Sequence, residues 1–395
     1  MPMRHKRIMM EMVGTSVGGG RTYIRHFLRT LPEVDKRNEW FVFVHPRVKE
    51  EERWDLPPRI KVLTSRFAVK SWLHRILWQQ VYIPWFVLRH RIDVLFSAAH
   101  FGSLFAPCRR VVLLCNASCF GPIYLERLLN WSPVNDNLKM RLHRFLTLLN
   151  IRFNHVVLTP TKAMRDIVGS CYRIPRRKWS FVHYAYQHIA ATKKPSISPA
   201  TEGVLKEKCK GKKIVLFVSA WTVFKNVSVV LRAADLLSDT HPEIQFVLTM
   251  DFSKPPVHTM GLAPRVLSRM YAHQAAEIQK RKNISQSGHV SLSEVRLLYE
   301  LSDVTIFPSV LESFGFPMLE ALANGKPVIA ADLPVNREVL GKQGVYFDPL
   351  NASDLADKIL EVLKNKSVCI GKVNFHTWDV YIQKIINILP CRAWR

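Results

Sequence analysis

Short apolar runs alternate with amphipathic stretches along these 395 residues, and they do so in two successive series. In the first, residues 8–13 (IMMEMV) lead into glycines at 14, 18, 19 and 20. Residues 21–31 then set Tyr23, Ile24, Phe27, Leu28 and Leu31 on one helical face. Residues 40–45, 60–63, 91–96, 110–115 and 155–159 read as further strands. The second series expects strands at 213–219, 244–250, 304–307 and 328–330, with 284–289 leading into a helix. Helices at 227–238, 262–282, 292–301 and 317–324 lie between them. Strands joined through helices run parallel, and a parallel sheet needs cover on both faces. The polar stretch 187–212, with Pro195, Pro199 and Gly203, separates the series. The expectation is two α/β domains in tandem with a cleft between them.

Charge narrows the partners. Residues 1–200 carry 33 Lys and Arg against 12 Asp and Glu, net +21, whereas the remainder is net +5. So basic a front half attracts something anionic: nucleic acid, an acidic membrane surface or a phosphorylated substrate. No basic aromatic RNA-binding signature is present, so nucleic acid is not the expected partner. The seven cysteines are odd in number and include no Cys-x-x-Cys pair. Neither a disulfide framework nor a structural zinc site is expected, and a reducing cytosol suits them. No signal peptide and no run of about 18 uncharged apolar residues is visible, so no membrane-spanning helix is expected.

Residues 72–91 (WLHRILWQQVYIPWFVLRHR) interleave Trp72, Trp78, Tyr82, Trp85 and Phe86 with Arg and His. Two readings fit: an interfacial segment on a membrane, or a helix packed on the sheet and broken near Pro84. The charges do not fall cleanly on one face, which favours the packed helix.

Residues 309–329 (SVLESFGFPMLEALANGKPVI) carry most of the chemistry. They follow a buried strand directly. Pro317 suits the first turn of a helix, and Asn324-Gly325 its end. A helix starting at the carboxyl end of a parallel strand is where ligands bind, and its N-terminus favours an anion such as a diphosphate. Gly315 lets backbone approach a ligand closely. Glu312 precedes the turn. Glu320, near the first helical turn, can accept two hydrogen bonds from a vicinal diol such as ribose.

The pattern Glu, seven residues, Glu, with Ser-Phe-Gly-Phe-Pro inside, resembles the signature of the retaining family-4 glycosyltransferases. The resemblance extends over about 213–365, through Gly288-His289-Val290-Ser291, residues 294–303 and Tyr346-Phe347-Asp348-Pro349. It implies a GT-B fold, two Rossmann-like domains facing across a cleft. The acceptor-binding domain would be residues 1–195 and the nucleotide-sugar domain 205–375. His376-Thr377-Trp378-Asp379 resembles the entry of the last helix, so 376–395 would cross back onto the first domain.

The same resemblance implies site roles. Glu320 would bind the donor ribose and Glu312 the donor sugar, with Glu312 and Lys225 as the catalytic pair. Ser313, Phe314, Gly315 and Phe316 would meet sugar and diphosphate, Val290 the base, and Ser219 the loop before Lys225. Members commonly hold a Gly-Arg pair ahead of that lysine; here the Arg position is Ala220, and one cation is missing. Gly18, Gly19 and Gly20 resemble the family's glycine turn in the first domain. Asn116 and Ser118 stand about where many relatives carry His-Asp, and Lys162 and Arg165 begin a later helix.

The function these residues imply is retaining, metal-independent transfer from a nucleoside-diphosphate sugar, UDP- or GDP-linked, to a glycan or lipid-linked acceptor. Cell-surface polysaccharide or lipopolysaccharide synthesis would be its setting. The sugar nucleotide is a co-substrate, and no cofactor or metal is expected. The expected place is the cytoplasm, with the basic half peripheral on an anionic inner membrane face. The alternative is a non-catalytic nucleotide-sugar or glycan binder of the same fold.

Overall fold

The computed structural model describes residues 5–15, 18–98, 100–115, 138–172, 174–186, 197–252, 264–288, 290–365 and 376–389. They fall into two compact units.

The first unit is built on β1 (Arg7–Met12), β2 (Glu39–Val44), β3 (Ile60–Thr64), β4 (Val94–Ser97), β5 (Arg109–Leu113), β6 (Val156–Thr159) and β7 (Trp179–Phe181). The strand order is β3-β2-β1-β4-β5-β6-β7, with every pairing parallel. β1 sits centrally, and Ile8, Met9 and Met10 are almost wholly buried, as a strand covered on both faces requires. The helix Trp378–Ile388 belongs to this unit. Its Tyr381 hydroxyl bonds that of Tyr23 at 3.1 Å within a cluster that includes Tyr184 and Trp378.

The second unit holds β8 (Lys213–Phe217), β9 (Ile244–Leu248), β10 (Ile284–Gln286), β11 (Val304–Phe307), β12 (Val328–Ala331) and β13 (Gly344–Phe347). Their order is β10-β9-β8-β11-β12-β13, again all parallel. The chain reverses its direction of travel across the sheet between β8 and β11. The carboxyl ends of those two strands are the switch point where an open α/β sheet takes its ligand.

The structure corrects the sequence reading in three places. β7, β10 and β13 were not expected as strands: the first two, at three residues each, are too short for a periodic signal, and β13 reads as the lead-in to a turn. The glycines at 18–20 are not a loop but open the helix Gly18–Val34. The segment around Pro84 is not broken. Trp72–Leu77, a π turn at Trp78–Tyr82 and Ile83–Arg89 run on continuously. Proline has no N–H to bond back along the helix. The preceding turn is widened, with the Ile83 N–H donating to the Trp78 carbonyl, so the helix passes Pro84 without ending.

Candidate active site

Three loops meet at the switch point of the second unit, at the carboxyl ends of β8, β11 and β13. After β8, residues 218–222 lead into the single turn Val223–Lys225 and then the helix Val227–Ser238. Asn226 joins the two in the left-handed region, φ 54°, a conformation that asparagine tolerates better than most residues. Its buried side-chain amide donates to the carbonyls of Pro308, at 3.3 Å, and Pro349, at 2.7 Å. The Val310 N–H donates to the Phe224 carbonyl at 2.9 Å. These bonds tie the lysine loop to the loop after β11.

Lys225 and Glu312 come together there. Lys225 Nζ lies 2.5 Å from Glu312 Oε1, with both side chains mostly buried. The ammonium also faces the Phe224 and Phe307 rings at 5.2 and 5.1 Å. Aromatic faces favour a cation, so the position is built for positive charge. Ala220 is exposed, and the next residue, Trp221, turns inward against Tyr271 and donates to Gln274 Oε1 at 2.6 Å. The Ser219 N–H donates to Thr249 Oγ1 at 3.0 Å, and its hydroxyl to the Ala220 carbonyl.

After β11 the chain turns through Gly315, φ 89° and ψ 61°, into the helix Phe316–Ala323. The positive φ asks for glycine; a Cβ there would also lie 2.4 Å from Met318 Cε, a flexible end that could move aside. As N-cap, Gly315 brings no side-chain acceptor to the first turn. Phe314 is buried and packs edge-on to Phe316 at 5.3 Å.

Glu320 is the fifth residue of this helix, just past the first turn near which the sequence placed it. It therefore does not cap the dipole; its carboxyl is enclosed beside Tyr299. Enclosure pushes its pKa from 4.5 up to about 7, offset in part by the Tyr299 hydroxyl. That hydroxyl lies 3.3 Å from Glu320 Oε2 and 3.1 Å from the Pro317 carbonyl. A phenol has one proton to give, so sharing it leaves the carboxylate incompletely stabilised. Tyr299 sits on the helix Leu292–Leu301, whose start is a capping box: Ser291 and Glu294 bond each other's backbone N–H. Val290 precedes that box and packs partly buried on the core.

Glu294 is the counter-example to Glu320. Burial would raise its pKa, but the Ser198 side chain, with the backbone N–H groups of Ser291 at 2.8 Å and Ser198 at 2.9 Å, outweighs that and brings it down to about 2. It is a structural carboxylate; Glu320 is an under-satisfied one.

Lys225, Glu312, Glu320, Ser313, Phe314, Gly315, Phe316, Ser219 and Val290 all lie in the second unit. Gly18, Gly19 and Gly20 lie in the first. There a Cβ on Gly20 would come within 2.8 Å of Thr15, so the strand-to-helix turn is tight. Lys162 and Arg165 begin the helix Lys162–Tyr172 and stand over the Phe181 ring at 5.6 and 5.7 Å. Asn116 and Ser118 lie outside the described residues. Asn226, Tyr299 and Thr249 were not singled out from sequence as site residues. Asn226 alone left a signal, by its place directly after the lysine.

Comparison with solved structures defines the fold class first. The chain matches a glycosyltransferase from Rickettsia africae over 98% of both chains, with a TM-score of 0.64 at 16% identity. It matches Anabaena HepE in complex with UDP and glucose over 98% of this chain and 95% of that one, with a TM-score of 0.62 at 15% identity. The two parallel-sheet, Rossmann-like units are thus those of a GT-B fold. In sequence, residues 205–369 match the model of the family glycosyl transferases group 1. A curated relative is the O-antigen chain mannosyltransferase RfbU of Salmonella typhimurium, 25% identical over 206 residues, which is 52% of this chain and 50% of that protein. The chain thus spans about half the length of this curated relative.

Proposed function

We propose that the protein is a retaining glycosyltransferase that moves a sugar from a nucleoside-diphosphate sugar to a glycan or lipid-linked acceptor in cell-surface polysaccharide or lipopolysaccharide synthesis. The observation that carries the reading is the switch-point cluster: Lys225 held 2.5 Å from Glu312 beside the Gly315 turn, with the under-satisfied Glu320 on the helix that follows. The RfbU match agrees with the setting.

In this reading the nucleotide ribose gives Glu320 the two hydroxyl donors that Tyr299 cannot supply alone. The diphosphate lies against the Gly315 turn and Lys225. The bond between the sugar C1 and the diphosphate oxygen breaks on the face where the acceptor oxygen enters. A new C1–oxygen bond forms there, and the acceptor proton passes to the departing phosphate. No protein base is then required; the chain positions the reactants and stabilises the leaving charge. Glu312 releases Lys225 to the diphosphate and takes the donor sugar hydroxyls. Lys225 provides the positive charge that a metal ion provides elsewhere, so transfer proceeds without metal or cofactor. The protein works in the cytoplasm, where sugar nucleotides are used, peripheral to the inner membrane face.

The test is transfer from UDP- and GDP-sugars to extracted glycolipid acceptors in the presence of a chelator. The product anomer is read by NMR. A retained configuration with chelator-insensitive rate is expected. An inverted product, or a rate abolished by chelation and restored by metal, would refute the mechanism.

A further inference from the structure

The helical segment 72–89 carries apolar residues on two sides, and the core takes only one of them. Trp78, Ile83, Phe86 and Val87 are buried against β1 and β2 residues such as Met9, Phe41 and Phe43. Facing outward are Trp72, Leu73, Leu77, Val81, Trp85 and Leu88, each between 43% and 68% exposed. From Leu73 to Trp85 they recur every fourth residue. In a regular α-helix such a row drifts about 40° per step; the wider turn at Trp78–Tyr82 winds it back and keeps the row on one side. Over 18 residues the row is about 27 Å long. The π turn is held from below. The Gln79 amide donates to Glu11 Oε2 and the Phe101 carbonyl, both at 3.1 Å, and Gln80 bonds Gly102 and Leu104.

An exposed apolar row of this length marks an interaction surface, and the surrounding charge says with what. Residues 56–92 contain seven Lys and Arg and no Asp or Glu. Arg66 and Lys70 are exposed before the row, and Arg89 and Arg91 at its far end. Two tryptophans in an apolar row with cations at both ends match an anionic lipid interface, where indole sits at headgroup depth and Arg and Lys meet phosphate. Among the described residues no helix is long and apolar enough to cross a membrane, so the segment would lie along the surface. We propose that the outer face of residues 72–89 is the element by which this protein docks on an anionic membrane, its apolar row inserted and its flanking cations on lipid phosphates. The proposal rests on the reading that the acceptor is membrane-borne, but its test needs no turnover, so either can fail alone.

The experiment is sedimentation of the whole protein with sucrose-loaded vesicles of phosphatidylcholine, with and without about one-third phosphatidylglycerol. Leu77→Ser/Val81→Ser/Trp85→Ser should lower partition by about tenfold or more, because the inserted area is lost. Arg66→Gln/Lys70→Gln/Arg89→Gln should lose about tenfold on anionic vesicles, with little change on neutral ones. Both should keep the wild-type melting midpoint and any nucleotide-induced shift, since the replaced groups are exposed. Equal partition of wild type and the apolar-row variant would overturn the proposal. So would a wild-type dimer by light scattering that this variant dissociates, since a second copy would then be the occupant.

Discussion

The most direct physical consequence of the Glu320 environment is a pH-dependent stability that one substitution removes. Its folded pKa is about 7 against an ordinary value of 4.5. Between those values the folded protein keeps a proton that the unfolded chain has released. Stability from this group is therefore complete below about pH 4.5 and lost as pH rises through 7. At 1.36 kcal/mol per unit, the difference is about 3 kcal/mol. Glu320→Gln keeps the shape and cannot ionise, so relative to wild type it should gain about 3 kcal/mol between pH 4.5 and 8. For a domain of this size that corresponds to roughly 6–12 °C in the melting midpoint of the second unit. Scanning calorimetry of both proteins at half-unit steps would read it. Glu11, also buried and raised to about 7, titrates in the same window, but it is present in both proteins and cancels in the difference. A difference that stays flat across this range, or that grows toward acid, would refute the assignment of an under-satisfied carboxyl.

Other consequences can be checked alongside. Glu294→Gln should cost about 2–3 kcal/mol at pH 7, because the depressed pKa of Glu294 contributes stability that is present above pH 4.5 and lost only as pH falls toward 2; denaturant titration at pH 7 and 3 should show the cost shrinking in acid. Asn226→Ala leaves the Pro308 and Pro349 carbonyls unpaired in the interior and should cost about 2 kcal/mol by the same measurement. Gly315→Ala forces a side chain into φ 89° and should cost about 1–2 kcal/mol, with nucleotide-induced thermal shift reduced as well. Lys225→Ala should lower kcat by about 100-fold with a smaller change in KM, if the ammonium acts on charge that develops at the leaving group.

How much of this was legible beforehand depends on how local the signal is. Leu292–Leu301 was placed to the residue, and the structure shows why its start is sharp: a capping box occupies four consecutive positions, Ser291 to Glu294. Val227–Ser238 was equally clear from its apolar spacing. The proximity of Lys225 and Glu312, 87 residues apart, came through the family resemblance, since no periodicity connects them. Tyr299 as the partner of Glu320 depends on how two helices settle against one strand. The bonds from Asn226 depend on where two other loops end. Neither contact is written in the sequence around it, although Asn226 itself is marked by its place directly after the lysine. The segment 72–91 posed two alternatives: Trp78 and Phe86 are core, as a helix packed on the sheet requires, while Trp72 and Trp85 are exposed. The charges looked scattered because the π turn shifts the register midway.

The central claim is that the switch point of the second unit binds a nucleoside diphosphate through Glu320. The measurement that tests it most directly is a thermal-shift titration with UDP, GDP, ADP, CMP and dTDP, on wild type and Glu320→Ala. Binding raises the midpoint by mass action. The account predicts that one nucleotide raises it in wild type and fails to do so in the variant. A midpoint unmoved by every nucleotide, or raised equally in both proteins, would contradict it.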